Sequence, residues 1–271
     1  MGKNNPPVVM IFAGSDPTGG AGLVADIQTV SALGCHPATI VTAVTAQDTS
    51  ELKNFVAIET EIVIEQARAV LEDMPVAAFK LGILGSAANL SAVATIVGSY
   101  PDIPLVVDPV FSTGGGASLS TESLDDGYRS LLFPLTTLVT PNAIEAKRLA
   151  TEADSRDACA QQLMSFGCDY VLHTGSHEPT DDVVHYLYGH HRQLESFTQK
   201  RLPGEYHGSG CTLAAACAAA LAQGFDMTTA VREALTFTWN SLENGFRPGK
   251  GQLLPQRQYW AADNHIISRK K

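Results

Sequence analysis

The chain has 271 residues, enough for one large α/β domain or two small ones. Apolar residues make up 45% of it and charged residues 17%, which is typical of a well-packed globular protein and excludes extensive disorder. The formal net charge of −10 argues against nucleic acid or an anionic membrane as a partner, and it favours action on small molecules.

Cysteine usage and the N-terminus bear on location. The five cysteines form no C-x-x-C pair and no metal-ligand spacing with histidine, and their odd number fits a reducing compartment. The apolar run at residues 8–13 is short and is soon followed by Asp16, unlike a signal peptide, and no stretch approaches the length of a membrane span. We therefore expect a cytoplasmic protein.

Short apolar runs alternate with segments of helical periodicity along the chain. The predicted buried strands cover residues 8–13, 38–44, 76–81, 105–108, 136–139 and 170–172. The predicted helices cover residues 22–32, 61–73, 87–97, 122–132, 144–150 and 158–166, with two more after Gly210 and around 229–244. Runs at 183–188 and 192–197, joined by a Gly-His-His turn, predict an antiparallel hairpin. The pattern predicts one α/β domain over residues 1–271, with a mostly parallel sheet covered by helices on both faces.

In such a sheet ligands bind at the carboxyl ends of the strands, so the glycine-rich segment 14–22 after the first strand is a candidate. Residues 20–25 fit the dinucleotide pattern G-x-G-x-x-A but begin well beyond the strand, and residues 14–19 lack the Lys and Ser/Thr of a phosphate-binding loop. We interpret the segment as a loop close to a flat ligand, with Asp26 reaching in from the next helix. An ordinary turn with an exposed Asp26 is an equal alternative.

A second candidate is HGSGCTL at residues 207–213, which leads into an alanine-rich helix. Gly208, Ser209 and Gly210 leave the N–H groups of the first turn accessible, and with the helix dipole these donors form an anion hole suited to a phosphoryl group. A glycine-flexed helix entry with a small buried thiol at Cys211 is the less favoured alternative.

Carboxylates and an amide follow two other predicted strands. Asp108 ends a buried strand and precedes a glycine-rich segment around 114–116 that suggests a flap. Asn142 and Glu145 begin a helix, where Asn142 can cap it and Glu145 can close a capping box. Beside an anion hole they are also candidates to hold Mg²⁺, since oxygen ligands suit that ion.

Six segments, in this order, resemble the hydroxymethylpyrimidine/phosphomethylpyrimidine kinases of thiamine synthesis, in the ribokinase-like superfamily. They are AGSDPTGGAG at 13–22 with Asp26, TAVTAQDT at 42–49, KLGIL at 80–84, VDPV at 107–110, TPNAIEA at 140–146 and HGSGCTL at 207–213. The resemblance runs from about residue 8 to 245 and implies a ribokinase-like three-layer sandwich, commonly dimeric. It also implies an enzyme that uses ATP and Mg²⁺ to phosphorylate the pyrimidine alcohol and then its monophosphate.

The resemblance assigns roles to individual residues. The pyrimidine would be held by Gly14, Asp26, Thr45, Gln47 and Ile83. ATP and Mg²⁺ would be served by Asn142, Glu145, Thr174, Lys80 and Asp108, with Asp108 and Glu145 at the metal. The anion hole would be formed by Gly208, Ser209, Gly210 and Cys211. Many relatives in the superfamily carry an aspartate at the Cys211 position, so Cys211 is a candidate base as well as an N–H donor.

One departure from the family pattern concerns ATP. The family usually reads VLxKGGH after a late strand, whereas this chain reads VLHTGSH at 171–177, so Thr174 stands in place of a lysine. A hydroxyl cannot supply that charge. A non-catalytic pyrimidine-binding protein is therefore one alternative. A pyridoxal kinase of the same superfamily is another, because both substrates are flat hydroxymethyl heterocycles. A dinucleotide-dependent oxidoreductase rests on residues 20–25 alone.

Overall fold

The computed structural model describes residues 5–111, 122–175 and 180–261. Its strands are β1 Val8–Ser15, β2 His36–Gln47, β3 Leu52–Ala57, β4 Val76–Leu81, β5 Leu105–Val107, β6 Leu138–Val139, β7 Tyr170–His173, β8 Asp182–Gly189 and β9 Arg192–Lys200. Its α-helices are α1 Gly22–Ala32, α2 Thr60–Asp73, α3 Ala87–Gly98, α4 Glu122–Gly127, α5 Ala143–Leu149, α6 Arg156–Ser165, α7 Ser209–Ala222 and α8 Met227–Glu243.

The strands form one sheet in the order β3-β2-β1-β4-β5-β6-β7-β8-β9. Pairing is parallel from β2 through β7 and antiparallel at both ends, where β3 pairs with β2 and the β8–β9 hairpin follows β7. His190 and His191 turn the hairpin with φ values of 51° and 56°, the left-handed conformation of a two-residue hairpin turn. The predicted parallel sheet and hairpin are confirmed.

Helices cover both faces of the sheet. Along β1 the side chains of Val9 and Ile11 enter one core, with α1, α7 and α8, while Met10 and Phe12 enter the other, with α2 to α6. All four are fully buried, as expected for a parallel strand with a helix layer on each side. The architecture is the three-layer sandwich of the ribokinase-like fold, as predicted.

The sequence missed one strand and misplaced several ends. β3 was not predicted because its residues are mostly polar or half-exposed, and its pairing with the end of β2 extends β2 three residues beyond the predicted 44. The predicted strand at 136–139 is shorter, since only Leu138–Val139 joins the ladder. The predicted helix at 122–132 changes after Gly127 to a π-helical turn, Tyr128–Leu132.

The carboxyl ends of β1, β4, β5, β6 and β7 meet at one edge of the sheet. The parallel order therefore brings together the candidate segments that follow these strands, although they are far apart in the chain. The predicted flap around 114–116 lies outside the described residues. Within the described ranges, no helix is long and apolar enough to cross a membrane.

Candidate active site

The predicted ring-binding residues converge where β2, β1 and β4 end. A Cβ atom at Gly14 would lie 3.6 Å from that of Ala43 and 3.9 Å from that of Ile83, so the missing side chain leaves the floor between these strands flat. Thr45 donates a hydrogen bond to the Ser15 carbonyl at 3.0 Å. Gln47 lies two residues further along β2 on the same side. The structure thus brings Gly14, Thr45, Gln47 and Ile83 to one edge.

Asp26 and Lys80 form a fully buried ion pair in this region. Lys80 Nζ lies 2.9 Å from Asp26 Oδ2, and neither side chain is exposed. Burial raises the pKa of Asp26 against the opposing effect of the Lys80 charge, and the facing Asp26 raises the pKa of Lys80 although burial opposes this. The turn with an exposed Asp26 is therefore wrong. The predicted contacts of Asp26 with the pyrimidine and of Lys80 with ATP stay predictions, since the structure shows the two bonded to each other.

The loop at 14–22, called the ring loop below, closes on the start of α7 by glycine contacts. Gly208 has φ = 81°, and a Cβ atom there would lie 1.9 Å from the Gly20 carbonyl oxygen. Gly22, at φ = 56°, would place its Cβ atom 2.3 Å from the Gly14 oxygen. Any side chain at either position would force the backbones apart. The glycines are required by this close approach.

Asp16 organises the ring loop from within. Its carboxylate accepts hydrogen bonds from the backbone N–H groups of Thr18 and Ala21 and lies 2.9 Å from His207 Nε2. Burial would raise the pKa of Asp16, but the hydrogen bonds from His207 and Thr18 outweigh it and hold the value at about 2. The Asp16–His207 contact ties the ring loop to the residue preceding the anion hole.

The start of α7 has the geometry predicted for an anion hole. Gly208 is the N-cap and provides no capping side chain, and the Thr212 amide is bonded to the Gly208 carbonyl at 3.0 Å. The amides of Ser209, Gly210 and Cys211 precede that bond and have no carbonyl four residues back within the helix. The body of α7 is buried from Thr212 to Ala220, so its N-terminus is held rigidly at the sheet edge.

Cys211 and Asp108 face each other at this point. A Cβ atom at Gly210 would lie 3.7 Å from Asp108 Oδ1, which places β5 beside the first turn of α7. Burial, opposed by the Lys80 charge, raises the pKa of Asp108 to about 6. Burial also raises the pKa of Cys211 to about 12, although the residue keeps partial exposure. The thiol is therefore protonated at neutral pH, which favours the N–H donor over the thiolate base.

Asn142 and Glu145 form the capping box anticipated for α5. Asn142 Oδ1 accepts from the amides of Ile144 and Glu145, and Glu145 Oε2 accepts from the Asn142 amide at 2.9 Å. Thr174 lies directly beside them, with its amide donating to the Pro141 carbonyl and its strand bridging to Asn142. Burial, and then the nearby Asp108, raise the pKa of Glu145 to about 8.

Asp108 and Glu145 fit a divalent cation. Burial, and then the negative charge of Asp108, raise the pKa of Glu145, and Asp108 Oδ2 has no hydrogen-bond partner among the described residues. Mg²⁺ commonly uses one or two carboxylates together with substrate phosphates, so a set of only two protein carboxylates suits it. Within the described ranges, no group of three or more acidic, histidine or cysteine side chains is placed to hold a metal ion by itself.

The sequence placed Asp16 and His207 within candidate segments without giving either a role, and it did not point to Arg257. Arg257 is buried and contacts both the ring loop and α7. Its segment, near the C-terminus, carries no motif that would mark it. The Asp16–His207 contact joins two motifs that were each recognised separately, and only the fold shows that they touch.

This sandwich brings a flat strand edge next to an open helix N-terminus and to the carboxylates of Asp108 and Glu145. The arrangement places the protein in the ribokinase-like class of small-molecule kinases. The model of the phosphomethylpyrimidine kinase family matches residues 16–256. The chain belongs to that family.

Relatives and solved structures agree with this membership. The hydroxymethylpyrimidine/phosphomethylpyrimidine kinase of Mycobacterium tuberculosis is 39% identical over 255 residues, which is 91% of this chain and 92% of the relative. The Bacillus subtilis kinase of the same description is 34% identical over 89% of this chain and 91% of its own length. Phosphomethylpyrimidine kinase from Clostridium difficile superposes with a TM-score of 0.75 at 29% identity, covering 88% of this chain and 100% of that one. Pyridoxal kinase from Staphylococcus aureus, solved with AMP-PCP and pyridoxal, superposes with a TM-score of 0.86 at 25% identity. The superposition covers 97% of this chain and 96% of that one.

Proposed function

We propose that this protein uses ATP to phosphorylate 4-amino-5-hydroxymethyl-2-methylpyrimidine, and then its monophosphate to the diphosphate, in thiamine biosynthesis. The observation that carries the proposal is the direct contact between the ring loop and the α7 anion hole at Gly20 and Gly208. A flat acceptor bound at the ring loop would therefore lie next to a phosphoryl group bound at the anion hole. Phosphoryl transfer depends on such placement more than on covalent chemistry.

The acceptor side offers a flat floor and polar groups at its edge. Gly14 and Ile83 supply the floor for an aromatic ring, while Gln47 has both an amide donor and a carbonyl acceptor for a ring nitrogen and an exocyclic amine. Thr45, on the adjacent strand, donates its hydroxyl to the carbonyl of Ser15, the residue after Gly14. The unpartnered Oδ1 of Asp26 is a further acceptor beneath this floor, although the residue is fully buried.

The nucleotide side takes ATP with Mg²⁺. Kinases of this fold have been solved with AMP-PCP and with ADP, which supports ATP as the donor. Asp108 and Glu145 would hold the ion, which neutralises phosphate charge when bound. Asn142 and Thr174 lie at the adjacent strand ends, where the phosphates or the nucleoside would pass. Lys80 contributes its charge from beneath rather than through an exposed ammonium.

Cys211 acts through its amide in this proposal. The amides of Ser209, Gly210 and Cys211 point to where charge develops on the transferred group, and such fixed donors stabilise a transition state without reorganisation. The raised pKa of the Cys211 thiol leaves little thiolate at neutral pH to accept the proton of the alcohol. The Asp108 carboxylate, whose pKa is about 6, lies beside it.

The test is product formation from defined acceptors. Purified protein is incubated with MgATP and either the hydroxymethylpyrimidine, its monophosphate or pyridoxal, and the products are separated and identified by mass. We expect the pyrimidine mono- and diphosphates, with one ADP released for each phosphoryl group transferred. Asp108→Asn should abolish most turnover, whereas Asp102→Asn, an exposed residue before the amino end of β5, should not. Pyrimidine binding without ADP release would instead indicate a non-catalytic binding protein.

Pyridoxal is the second candidate acceptor, because the pyridoxal kinase superposes more closely than the pyrimidine kinase does. Sequence identity is higher to the pyrimidine kinases. Identity counts side chains that are the same along the chain, whereas the TM-score compares backbone shape alone. We expect kcat/KM for the pyrimidine to exceed that for pyridoxal. The reverse order would move the assignment to pyridoxal kinase.

A homodimer and a cytoplasmic location belong to the same proposal. The β2–β3 ribbon exposes Val44 and Val56, two apolar side chains that a second copy could cover. All five cysteines are free thiols, which agrees with a reducing compartment. Sedimentation equilibrium would determine the number of chains in the assembly.

A further inference from the structure

Arg257 lies between the two halves of the site and touches both. Its side chain is 98% buried, with only 2% of its surface exposed. Nε donates to Thr212 Oγ1 on α7 at 2.9 Å, and the terminal nitrogens donate to the carbonyls of Gly20 at 2.5 Å and Gly19 at 3.5 Å in the ring loop. A fourth bond, to Gln28 Oε1 at 3.1 Å, fixes the guanidinium from α1.

The positive charge of Arg257 is not neutralised by direct contact. Within the described ranges, no carboxylate lies within 4.0 Å of its guanidinium. Burial lowers the pKa of Arg257 to about 10, so the group is still charged at pH 7. A buried cation whose partners among the described residues are carbonyls, an amide and a hydroxyl is unfavourable for folding, and an apolar side chain of similar volume would avoid that cost.

The bonds of Arg257 complement the other tie between the two halves. Asp16 and His207 join the ring loop to the residues before α7. Arg257 joins Gly19 and Gly20 to the first turn of α7 itself. With the close contact of Gly20 and Gly208 between them, the ring loop is joined to the start of α7 at three places.

We propose that Arg257 is a positioning residue for phosphoryl transfer: it fixes the ring loop against the first turn of α7 and places a positive charge behind the anion hole. It does not touch the substrate. This inference rests on the proposed kinase function. A misplacement of about 1 Å between reacting groups can lower turnover about 100-fold.

The first test compares Arg257→Lys and Arg257→Gln with a matched control, Arg129→Lys. Arg129 also donates to backbone carbonyls of another element, those of Arg148 and Leu149 at the end of α5 away from Glu145. We expect both Arg257 variants to lower kcat roughly 100-fold while each KM changes only a few-fold, and Arg129→Lys to leave kcat unchanged. Arg257→Lys keeps the charge and guards against a variant that fails to fold. Unchanged kcat in folded Arg257→Gln would overturn the proposal.

A second test uses rescue by a small cation. A cleft of about 160 Å³ opens beside the guanidinium and is lined by Thr18, Gly19 and Gln28. In Arg257→Ala this cleft would extend to the vacated position, so guanidinium ions from solution can reach the carbonyls. We expect guanidinium, at concentrations far below those that unfold proteins, to raise kcat of Arg257→Ala but not of Arg129→Ala. Equal rescue by sodium chloride or urea would show a general solvent effect and count against the proposal.

A binding measurement separates this inference from the proposed function. In the proposed site the pyrimidine monophosphate would contact both the ring loop and the anion hole, whereas the alcohol would contact the ring loop alone. Calorimetry should show that Arg257→Gln lowers the binding affinity for the monophosphate more than that for the alcohol, whether or not turnover occurs. If the wild type makes no product, the proposed function fails while this comparison still decides the role of Arg257. An equal loss of affinity for both ligands would mean that Arg257 only stabilises the fold, and it would contradict the proposed positioning role.

Discussion

Lys80 and Asp26 owe their properties to complete removal from water. Each is an ordinary charged residue in the sequence, and in the fold each is the other's direct partner at 2.9 Å. Burying two charges costs several kcal/mol per ion, so the pair contributes little net stability while both members are present. Loss of one member leaves the other as a buried charge without compensation, and this asymmetry makes the pair testable.

Lys80→Met should destabilise the protein by about 3–5 kcal/mol, because the Asp26 carboxylate loses its partner in an apolar interior. Urea unfolding followed by circular dichroism measures the change. Lys53→Met is the control, since the Lys53–Asp48 pair is exposed and should matter little. The double variant Asp26→Asn with Lys80→Met should recover part of the loss. A Lys80→Met variant as stable as the wild type would contradict the buried pair.

Glu145 gives the fold a dependence on pH. Its pKa rises from 4.5 to about 8 on folding, so between these values the folded protein binds more protons than the unfolded chain. The contribution of Glu145 to the free energy of unfolding is then fully present below its pKa in the unfolded chain. It is lost as the pH rises toward the pKa of Glu145 in the folded protein. We expect the free energy of unfolding to fall between about pH 4.5 and 8, by up to about 1.4 kcal/mol per pH unit from this group.

Glu145→Gln imitates the protonated acid and should flatten the fall in stability over the same range. Glu59→Gln, at an exposed position, should leave the slope of the wild type unchanged. Added Mg²⁺ should stabilise the wild type more at pH 8 than at pH 5, since the ion binds the ionised carboxylates. A slope that Glu145→Gln does not alter would assign the titration to another group.

At the scale of elements, helix α7 combines a fully buried body with an open first turn, and its sequence allows both. Alanines from Ala214 to Ala220 are small enough for the helix to be buried on all sides. Glycines at its start allow the ring loop to approach, and the left-handed conformation of Gly208 turns the chain into the helix. The rigid burial of the body holds the amides of the first turn in place.

Gly208→Ala and Gly34→Ala separate the effect of backbone strain from that of close contact. The two glycines have similar φ values, 81° and 78°, but a Cβ atom at Gly34 meets nothing within 4 Å. We expect Gly34→Ala to cost about 1 kcal/mol from the left-handed conformation alone. Gly208→Ala should cost more and should lower kcat/KM, because the Gly20 carbonyl must move away. If urea unfolding showed the same loss of stability in both variants, and both kept full activity, the close contact at Gly208 would be contradicted.

At the scale of the whole molecule, the net charge of −10 opposes the approach of ATP, while the anion hole and buried cations act only at short range. Raising ionic strength from about 10 to 150 mM shortens the Debye length from about 30 to 8 Å. We expect kcat/KM for ATP to rise a few-fold over this range, because the distant repulsion is screened first. The uncharged pyrimidine alcohol serves as the control and should show little change. A fall in kcat/KM for ATP as ionic strength rises would mean that attraction by nearby cations outweighs the repulsion from the net negative charge.

The sequence by itself determined the features that depend on residues close together in the chain. Strand and helix alternation follows from local periodicity, and the Asn142–Glu145 capping box spans a single turn, so both were predictable. The glycines of segments 14–22 and 207–213 were identifiable because few residues tolerate such turns. β3 escaped prediction because an edge strand with exposed polar residues has a weak pattern.

Only the tertiary structure decided how the chemistry of the site is arranged. Asp26 meets Lys80 across 54 positions, Asp16 meets His207 across 191, and Arg257 meets Gly20 across 237. The raised pKa values of Asp108, Glu145 and Cys211 likewise come from burial beneath segments remote in the chain. Local rules extend over a turn or a strand pair, whereas desolvation and buried charge pairing depend on which distant segments the folded sheet brings together.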